Sequence, residues 1–176
     1  LTMNNTEILK PCDVLVENGV ISAIGSLNNE QIQNAKIIDA SVKLLMPGLI
    51  NSHCHVPMTL LRNYADDMNL QTWLFDHIFP VEDRILGEDI YYGSLLGIME
   101  MIASGTTCFI DMYDFLNDMG KAVEESGIRA QLSRGMMNTG DGPDFSNDTR
   151  LNESIDYYKR WNGAANGRIT GAFAPH

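Results

Sequence analysis

The sequence changes character at residues 47–55, PGLINSHCH, where a proline–glycine pair is followed by a short apolar run and two histidines. From this point onward, short apolar runs alternate with longer segments of helical periodicity. That alternation is typical of βα units and a parallel sheet. We therefore expect strands and helices to alternate from residue 49 to residue 176.

Four strand candidates follow Gly48, at residues 49–53, 106–110, 128–132 and 169–174. Segments with apolar residues at helical spacing separate them, at residues 91–102, 115–126 and 152–162. Gly105 stands where the C-cap of the first helix is expected. The order is that of the N-terminal half of an α/β fold of the (β/α)8 TIM type, which needs about 250 residues in full. A four-stranded open sheet is the alternative.

The residues before Gly48 have a different pattern. Residues 13–25 contain two β-rich runs around Asn18-Gly19, a dipeptide that accepts the positive φ angles of a tight hairpin turn. Two further apolar runs, at residues 36–39 and 42–46, continue the β character. We therefore expect a small all-β unit in residues 1–47 and βα units in residues 48–176.

Composition restricts the classes of partner. The chain has 176 residues, 44% of them hydrophobic, and its 12 basic and 23 acidic residues give a net charge of −11. This charge repels phosphate backbones and anionic lipids, so we expect no nucleic-acid and no membrane partner. Three widely spaced cysteines fit a reducing, cytoplasmic location. The sequence suggests neither a signal peptide nor a membrane span.

Histidines provide the first candidate site. There are four, His53, His55, His77 and His176, and three of them follow predicted strands, where active sites form in parallel α/β folds. His53 and His55 are two residues apart, so an extended backbone directs both to one face and Cys54 to the other. Two adjacent imidazoles are half of a zinc site. The alternative is a polar pair satisfied at a turn.

Other polar residues also follow predicted strands. Asp111 and Arg134 could face the same site, but an aspartate in such a position is more often a loop or capping residue, and we leave Asp111 out of the predicted site. His77 lies in an aromatic helix, residues 73–80, that we expect Pro80 to stop. Packing or surface exposure therefore explains His77 better than a functional role.

Residues 45–82, LMPGLINSHCHVPMTLLRNYADDMNLQTWLFDHIFPVE, closely resemble the amidohydrolase superfamily. Within it, they resemble the methylthioadenosine/S-adenosylhomocysteine deaminases and their chlorohydrolase relatives. The words PGLINSHCH, LLRNYADD and WL-x4-FP-x-E occur in the order and at the spacing of that group. APH at residues 174–176 is similar to the opening of the family's APH-x-PY-T segment. The resemblance implies a small β-sandwich segment followed by the barrel.

The resemblance also implies site residues. His53 and His55 match the pair that binds the divalent metal, expected to be one zinc ion per subunit, with iron or manganese left open. Glu82 matches a glutamate that accepts hydrogen bonds from the ribose hydroxyls. Arg134 resembles an arginine that reaches the substrate, with an amino-acid carboxylate as the expected contact and the bidentate geometry that suits arginine. His176 matches a histidine that contacts the substrate.

Three further positions bear on the resemblance. Arg150, in the Gly-Asp-rich loop at residues 138–150, is a second candidate for substrate binding. Asn63 stands where the family's R-G-Y-A-D-D word often has glycine. In the family, the third metal histidine, the proton-shuttling glutamate, a further histidine and a metal-binding aspartate all come later than the residue matching His176. The catalytic residues are therefore expected beyond residue 176, and residues 1–176 alone are expected to be inactive.

The function implied is hydrolytic deamination of the adenine ring of S-adenosylhomocysteine, 5′-methylthioadenosine or adenosine. Zinc would ionise the water that attacks C6, and the products would be the inosyl compound and ammonia. Guanine deamination and triazine dechlorination are alternatives on the same scaffold. A non-catalytic fragment or binding module is a third. The expected partner is a small nucleoside, and a homo-oligomer is left open.

Overall fold

The computed structural model describes residues 12–136 and 148–175, and it divides into two compact units between Pro47 and Gly48. In the first unit, β1 (Asp13–Glu17) and β2 (Val20–Gly25) form an antiparallel hairpin. The turn residues Asn18 and Gly19 have φ angles of 52° and 77°, as a tight turn requires. The predicted hairpin is confirmed.

The rest of the first unit differs from the all-β expectation. A four-residue helix, α1 (Asn29–Ile32), begins after the hairpin. Residues 36–39 and 42–46 form no strand in the described part of this unit, so the prediction of continued β structure is wrong. Ile37 and Val42 are 76% and 93% exposed. An apolar run becomes a strand only where a neighbour pairs with its backbone along a ladder, and among residues 12–47 the described ladder joins β1 and β2 alone.

The second unit is an α/β structure built on a four-stranded parallel sheet. Its strands lie in chain order: β3 (Leu49–Cys54), β4 (Thr106–Met112), β5 (Arg129–Met136) and β6 (Ile169–Pro175). They match the four predicted segments. Gly105, with φ of 88°, follows the end of a helix as expected. The parallel order brings the carboxyl ends of all four strands to one edge of the sheet.

Helices connect these strands. The short α2 (Phe79–Glu82) and the long α3 (Gly87–Ala103) lie between β3 and β4, and α4 (Leu116–Ser126) lies between β4 and β5. The helices α5 (Thr149–Trp161) and α6 (Ala164–Gly167) precede β6. Helix and strand residues form one buried cluster, which includes Ile90, Ile98, Phe109, Met119, Val123, Leu132, Tyr157 and Ile169. This cluster is the core that supports the strand ends.

The connection from β3 to α3 is irregular. It contains a 3₁₀ segment, Val56–Leu61, and a π-helical segment, Thr72–Ile78, which runs directly into α2. The predicted stop at Pro80 is wrong. The backbone N–H of Phe79 donates to the carbonyl of Leu74, five residues earlier, and Pro80 then falls in the first turn of α2. A proline needs no backbone donor in a first helical turn, so the chain continues as helix.

No helix in residues 12–136 and 148–175 combines the length and apolar character needed to cross a bilayer.

Candidate metal centre and substrate site

An irregularity near the end of β3 sets the direction of the side chains there. Asn51 lies opposite Phe109 of β4 while Cys54 lies opposite Asp111, so three steps along β3 span two steps along β4. A β-bulge of this kind re-aims side chains. Asn51 contacts Met101 of α3, and Cys54 packs against the helix-covered core. The histidines on either side of Cys54 are therefore free to lie on the other side of the chain.

His53 and His55 lie side by side, with ring centroids 5.0 Å apart in an edge-to-face arrangement, as their spacing predicts. Nδ1 of His55 lies 2.7 Å from the carbonyl oxygen of Met112. Because a carbonyl only accepts hydrogen bonds, Nδ1 carries the proton and Nε2 keeps a lone pair. His53 is exposed. The pair thus has the donor chemistry of half a metal site.

Asp111 lies at the end of β4 and is 1% exposed. Its Oδ2 accepts a hydrogen bond from the backbone N–H of Val56 at 2.6 Å and another from the thiol of Cys54 at 3.6 Å. Burial raises the pKa of Asp111 to about 7, and burial also raises the pKa of the Cys54 thiol. The interpretation of Asp111 as a loop or capping residue is wrong, because it is a buried strand residue that holds the turn after β3.

Glu82 at the end of α2 is linked to the histidine pair through Tyr113. The hydroxyl of Tyr113 donates a hydrogen bond to Oε1 of Glu82. The ring centroid of Tyr113 lies 6.1 Å from that of His55. Burial raises the pKa of Tyr113, and the hydrogen bond to Glu82 acts in the same direction, so the hydroxyl stays protonated as a donor. The structure therefore brings Glu82 and His55 to the same tyrosine.

Arg134 forms ion pairs with acidic residues outside the group of His53, His55, Tyr113 and Glu82. Its side chain is 16% exposed and forms ion pairs with Asp114 and Glu153, the second with an Nε–Oε2 distance of 3.1 Å. In residues 12–136 and 148–175, its guanidinium makes no hydrogen bond or ion pair with the histidine pair or Glu82. A substrate carboxylate at Arg134 would have to compete with these two partners.

Three predicted or considered residues remain, Arg150, His176 and His77. Arg150 is half-buried in the first turn of α5, and its guanidinium has no hydrogen bond or ion pair with any described residue. His176 lies outside the described residues. His77 packs edge-to-face on Tyr64, with ring centroids 6.3 Å apart, in agreement with the packing interpretation.

Two contributors were missed by sequence reasoning. Met112 contributes a backbone carbonyl, which no side-chain motif encodes. Tyr113 directly follows the second strand of the parallel sheet. The strand-end rule that identified Asp111 and Arg134 could have found this tyrosine as well.

Comparisons with known proteins show the family of the chain. Residues 44–176 match the amidohydrolase family model. A 5-methylthioadenosine/S-adenosylhomocysteine deaminase of Carboxydothermus hydrogenoformans is 54% identical, over 93% of this chain and 37% of the relative. A 5′-deoxyadenosine deaminase of Methanosarcina mazei is 45% identical, over 96% of this chain and 38% of the relative. The chain thus spans about two fifths of the length of the curated relatives that it matches.

The chain is also similar to solved structures. An adenosine deaminase from Xanthomonas campestris with bound zinc has a TM-score of 0.76 and 31% identity, over 99% of this chain and 40% of that chain. A guanine deaminase from C. acetobutylicum with bound guanine has a TM-score of 0.77 and 21% identity, over 98% and 43% of the two chains. The second likeness concerns the fold alone. Because the family model matches residues 44–176, most of the length, the chain belongs to the amidohydrolase family.

Proposed function

We propose that the protein is a metal-dependent hydrolase that removes the amino group from the adenine ring of a small nucleoside. S-adenosylhomocysteine, 5′-methylthioadenosine, 5′-deoxyadenosine and adenosine are the candidate substrates. The observation that carries the proposal is the histidine pair, in which Nε2 of His55 has no hydrogen bond to a described residue, beside the Tyr113–Glu82 hydrogen bond. The names of the relatives direct the choice of adenine nucleosides.

The finer description of the fold is part of the same proposal. We assign residues 1–47 to the N-terminal part of a β-sandwich and residues 48–176 to the first four βα units of a (β/α)8 barrel. The parallel order β3-β4-β5-β6 with intervening helices supports this assignment. The free state of Cys12, Cys54 and Cys108 supports a reducing, cytoplasmic location.

His53 and His55 would hold one zinc ion per subunit. The residues present fit such an ion, because the hydrogen bond from Nδ1 of His55 to a carbonyl is the arrangement that orients a ligating imidazole. Zinc supplies Lewis acidity that lowers the pKa of bound water toward about 7. In the described part of the chain, no group of three or more candidate ligands comes together. Further ligands would therefore come from other residues of the protein.

The other site residues would bind and orient the nucleoside. The carboxylate of Glu82 would accept hydrogen bonds from the ribose hydroxyls, since the bond from Tyr113 leaves further lone pairs available. Arg134 and Arg150 would bind the carboxylate of an amino-acid-bearing substrate. For Arg134, that carboxylate would displace Asp114 or Glu153. His176 remains a proposed substrate contact.

The test is release of ammonia by the protein expressed from its complete coding sequence. The four adenine nucleosides, guanine and a chlorotriazine are assayed side by side. The proposal predicts turnover of at least one adenine nucleoside and none of guanine or the triazine. Turnover of guanine or the triazine alone would contradict the proposal and would favour guanine deamination or triazine dechlorination instead. A protein that binds nucleosides without stoichiometric metal and without turnover would be a binding module instead.

A further inference from the structure

Four consecutive residues, Asp111–Asp114, at the end of β4 and just after it, each hold a different part of the proposed site. Asp111 accepts from Val56, Met112 accepts from His55, Tyr113 donates to Glu82, and Asp114 pairs with Arg134. The contacts of Asp111 and Met112 hold the chain at and directly after His55. The contacts of Tyr113 and Asp114 hold proposed substrate-binding residues. The contact of Tyr113 is the one that links a substrate residue to the neighbourhood of the histidines.

The backbone of Tyr113 is anchored to the sheet. Its N–H donates to the carbonyl of Ser133 on β5 at 3.1 Å, and the hydroxyl of Ser133 donates to the carbonyl of Asp111 at 3.0 Å. Ser133 is itself 6% exposed. The phenol hydroxyl of Tyr113 is therefore carried by a rigid part of the fold.

Glu82, in contrast, lies on a weak element. The helix that carries it, Phe79–Glu82, has four residues and follows the irregular segment Thr72–Ile78. Helices of this length have almost no stability of their own, so neighbouring contacts must fix their side chains. The Glu82 carboxylate is half-buried and its described side-chain partner is the Tyr113 hydroxyl. Its orientation thus depends on that hydrogen bond.

We propose that Tyr113 is a positioning residue for substrate recognition, whose hydroxyl orients Glu82 to receive the vicinal hydroxyls of a ribose. This inference rests on the proposed function. An ionised carboxylate has about four lone-pair sites, so after one is taken by Tyr113 there remain enough for two ribose donors. Without the phenol hydroxyl, the Glu82 side chain would populate several rotamers. Fixing it in one rotamer when the ribose binds would then reduce the binding free energy.

The chain offers a matched control. Tyr91 of α3 donates its hydroxyl to Glu125 of α4, which is the same pair of residue types in the same kind of hydrogen bond. Glu125 is exposed, and neither residue contacts the predicted site residues by a described hydrogen bond. A Tyr91→Phe substitution therefore removes an equivalent bond from elsewhere on the molecule.

The experiment compares adenosine with 2′,3′-dideoxyadenosine, which lacks both ribose hydroxyls that Glu82 would bind. The variants are Tyr113→Phe, Tyr91→Phe, Glu82→Gln and the Glu82→Gln/Tyr113→Phe double variant, in the full-length protein. In Tyr113→Phe we expect the KM for adenosine to rise about 5- to 20-fold with kcat within about 2-fold, and the KM for the dideoxy compound to stay unchanged. Tyr91→Phe should match the wild type. In the Glu82→Gln background, Tyr113→Phe should not raise the KM for adenosine any further.

A second readout does not depend on turnover. The dissociation constant for the product inosine, measured by calorimetry, should rise by the same factor in Tyr113→Phe. Each variant is also compared on adenosine and the dideoxy compound. A loss of folded protein would lower the apparent kcat for both nucleosides alike and would leave the ratio of their KM values unaltered.

The outcomes separate the two proposals. If the wild type deaminates adenosine but Tyr113→Phe keeps the wild-type ratio of KM values for the two nucleosides, the role of Tyr113 is overturned and the proposed function stands. If the wild type deaminates no adenine nucleoside, the proposed function fails and the role of Tyr113 fails with it.

Discussion

Nδ1 of His55, the residue directly after β3, lies 2.7 Å from the carbonyl oxygen of Met112 on β4, so the neighbouring strand sets the orientation and tautomer of this imidazole. Asp111, adjacent to Met112, holds the backbone N–H of Val56, which directly follows His55. The end of β4 thus holds both the ring of His55, a proposed metal ligand, and the main chain directly after it. A site held in this way is already arranged before any metal binds.

Asp111→Asn should weaken zinc binding. The variant replaces the carboxylate that holds the backbone N–H of Val56, the residue directly after His55, and weakens that hydrogen bond. Because Asp111 acts through the main chain next to His55, we expect the zinc affinity to fall by no more than the roughly 10- to 100-fold that follows loss of a direct hydrogen-bond partner of a ligand. Competition with a chromophoric chelator measures it. Asp156→Asn, an exposed position on α5, serves as the control and should bind zinc like the wild type. Equal affinity in the two variants would contradict the account.

Asp111 should also make the stability of the metal-free protein depend on pH. Burial raises its pKa to about 7, above the ordinary value of about 3.9, so the folded state binds the proton more tightly than the unfolded state. The resulting stabilisation is complete below about pH 4 and is lost as the pH rises through about 7. The free energy of unfolding of the wild type, relative to Asp111→Asn, should therefore fall by about 4 kcal/mol across this range. Urea denaturation at a series of pH values measures it, and a constant difference would refute the prediction.

Gly97 of α3 should tolerate no side chain. A Cβ at this position would lie 2.6 Å from Cγ2 of Val56 and 3.2 Å from its carbonyl oxygen, and Val56 is 4% exposed. Alanine would gain about 1 kcal/mol in helix propensity, but overpacking costs about 1 to 3 kcal/mol, so Gly97→Ala should be destabilising overall. Thermal denaturation checks this. Met99→Ala, at an exposed position of the same helix, should change the stability by less than about 0.5 kcal/mol.

The cysteines should differ in reactivity. The thiol of Cys54 donates to Asp111 and to the carbonyl of Ile110, and burial raises its pKa, so the reactive thiolate is scarce. Cys12 is exposed. Iodoacetamide treatment followed by peptide mass spectrometry should therefore show Cys12 alkylated well before Cys54. Faster modification of Cys54 would mean that its hydrogen bond to Asp111 does not persist in solution.

Local pattern predicted much of the fold. The hairpin around Asn18-Gly19 depends on backbone conformations that these residue types favour, and the four strands of the parallel sheet are short apolar runs between turn residues. The side-by-side arrangement of His53 and His55 likewise follows from their spacing of two. Features of this kind are encoded within a few residues and are therefore visible in the sequence.

Features that depend on distant partners were predicted poorly. Residues 36–39 look like a strand, but no described neighbour pairs with them. Pro80 looks like a helix stop, but the π-helical hydrogen bond to Leu74 shifts the start of α2 so that the proline falls in its first turn. Asp111 looks like a loop residue, yet β4 extends through it because β3 and β5 pair on either side. In each case a contact distant in sequence decided the outcome.

The zinc content of the protein, expressed from its complete coding sequence, tests the central claim most directly. Wild type, His53→Ala, His55→Ala and His77→Ala are dialysed against a weak chelator and measured by inductively coupled plasma mass spectrometry. The account predicts about one zinc ion per chain in the wild type and in His77→Ala, whose histidine packs on Tyr64, and little zinc in the other two variants. Full zinc retention in His53→Ala and His55→Ala, or a metal-free wild type with undiminished turnover, would contradict it.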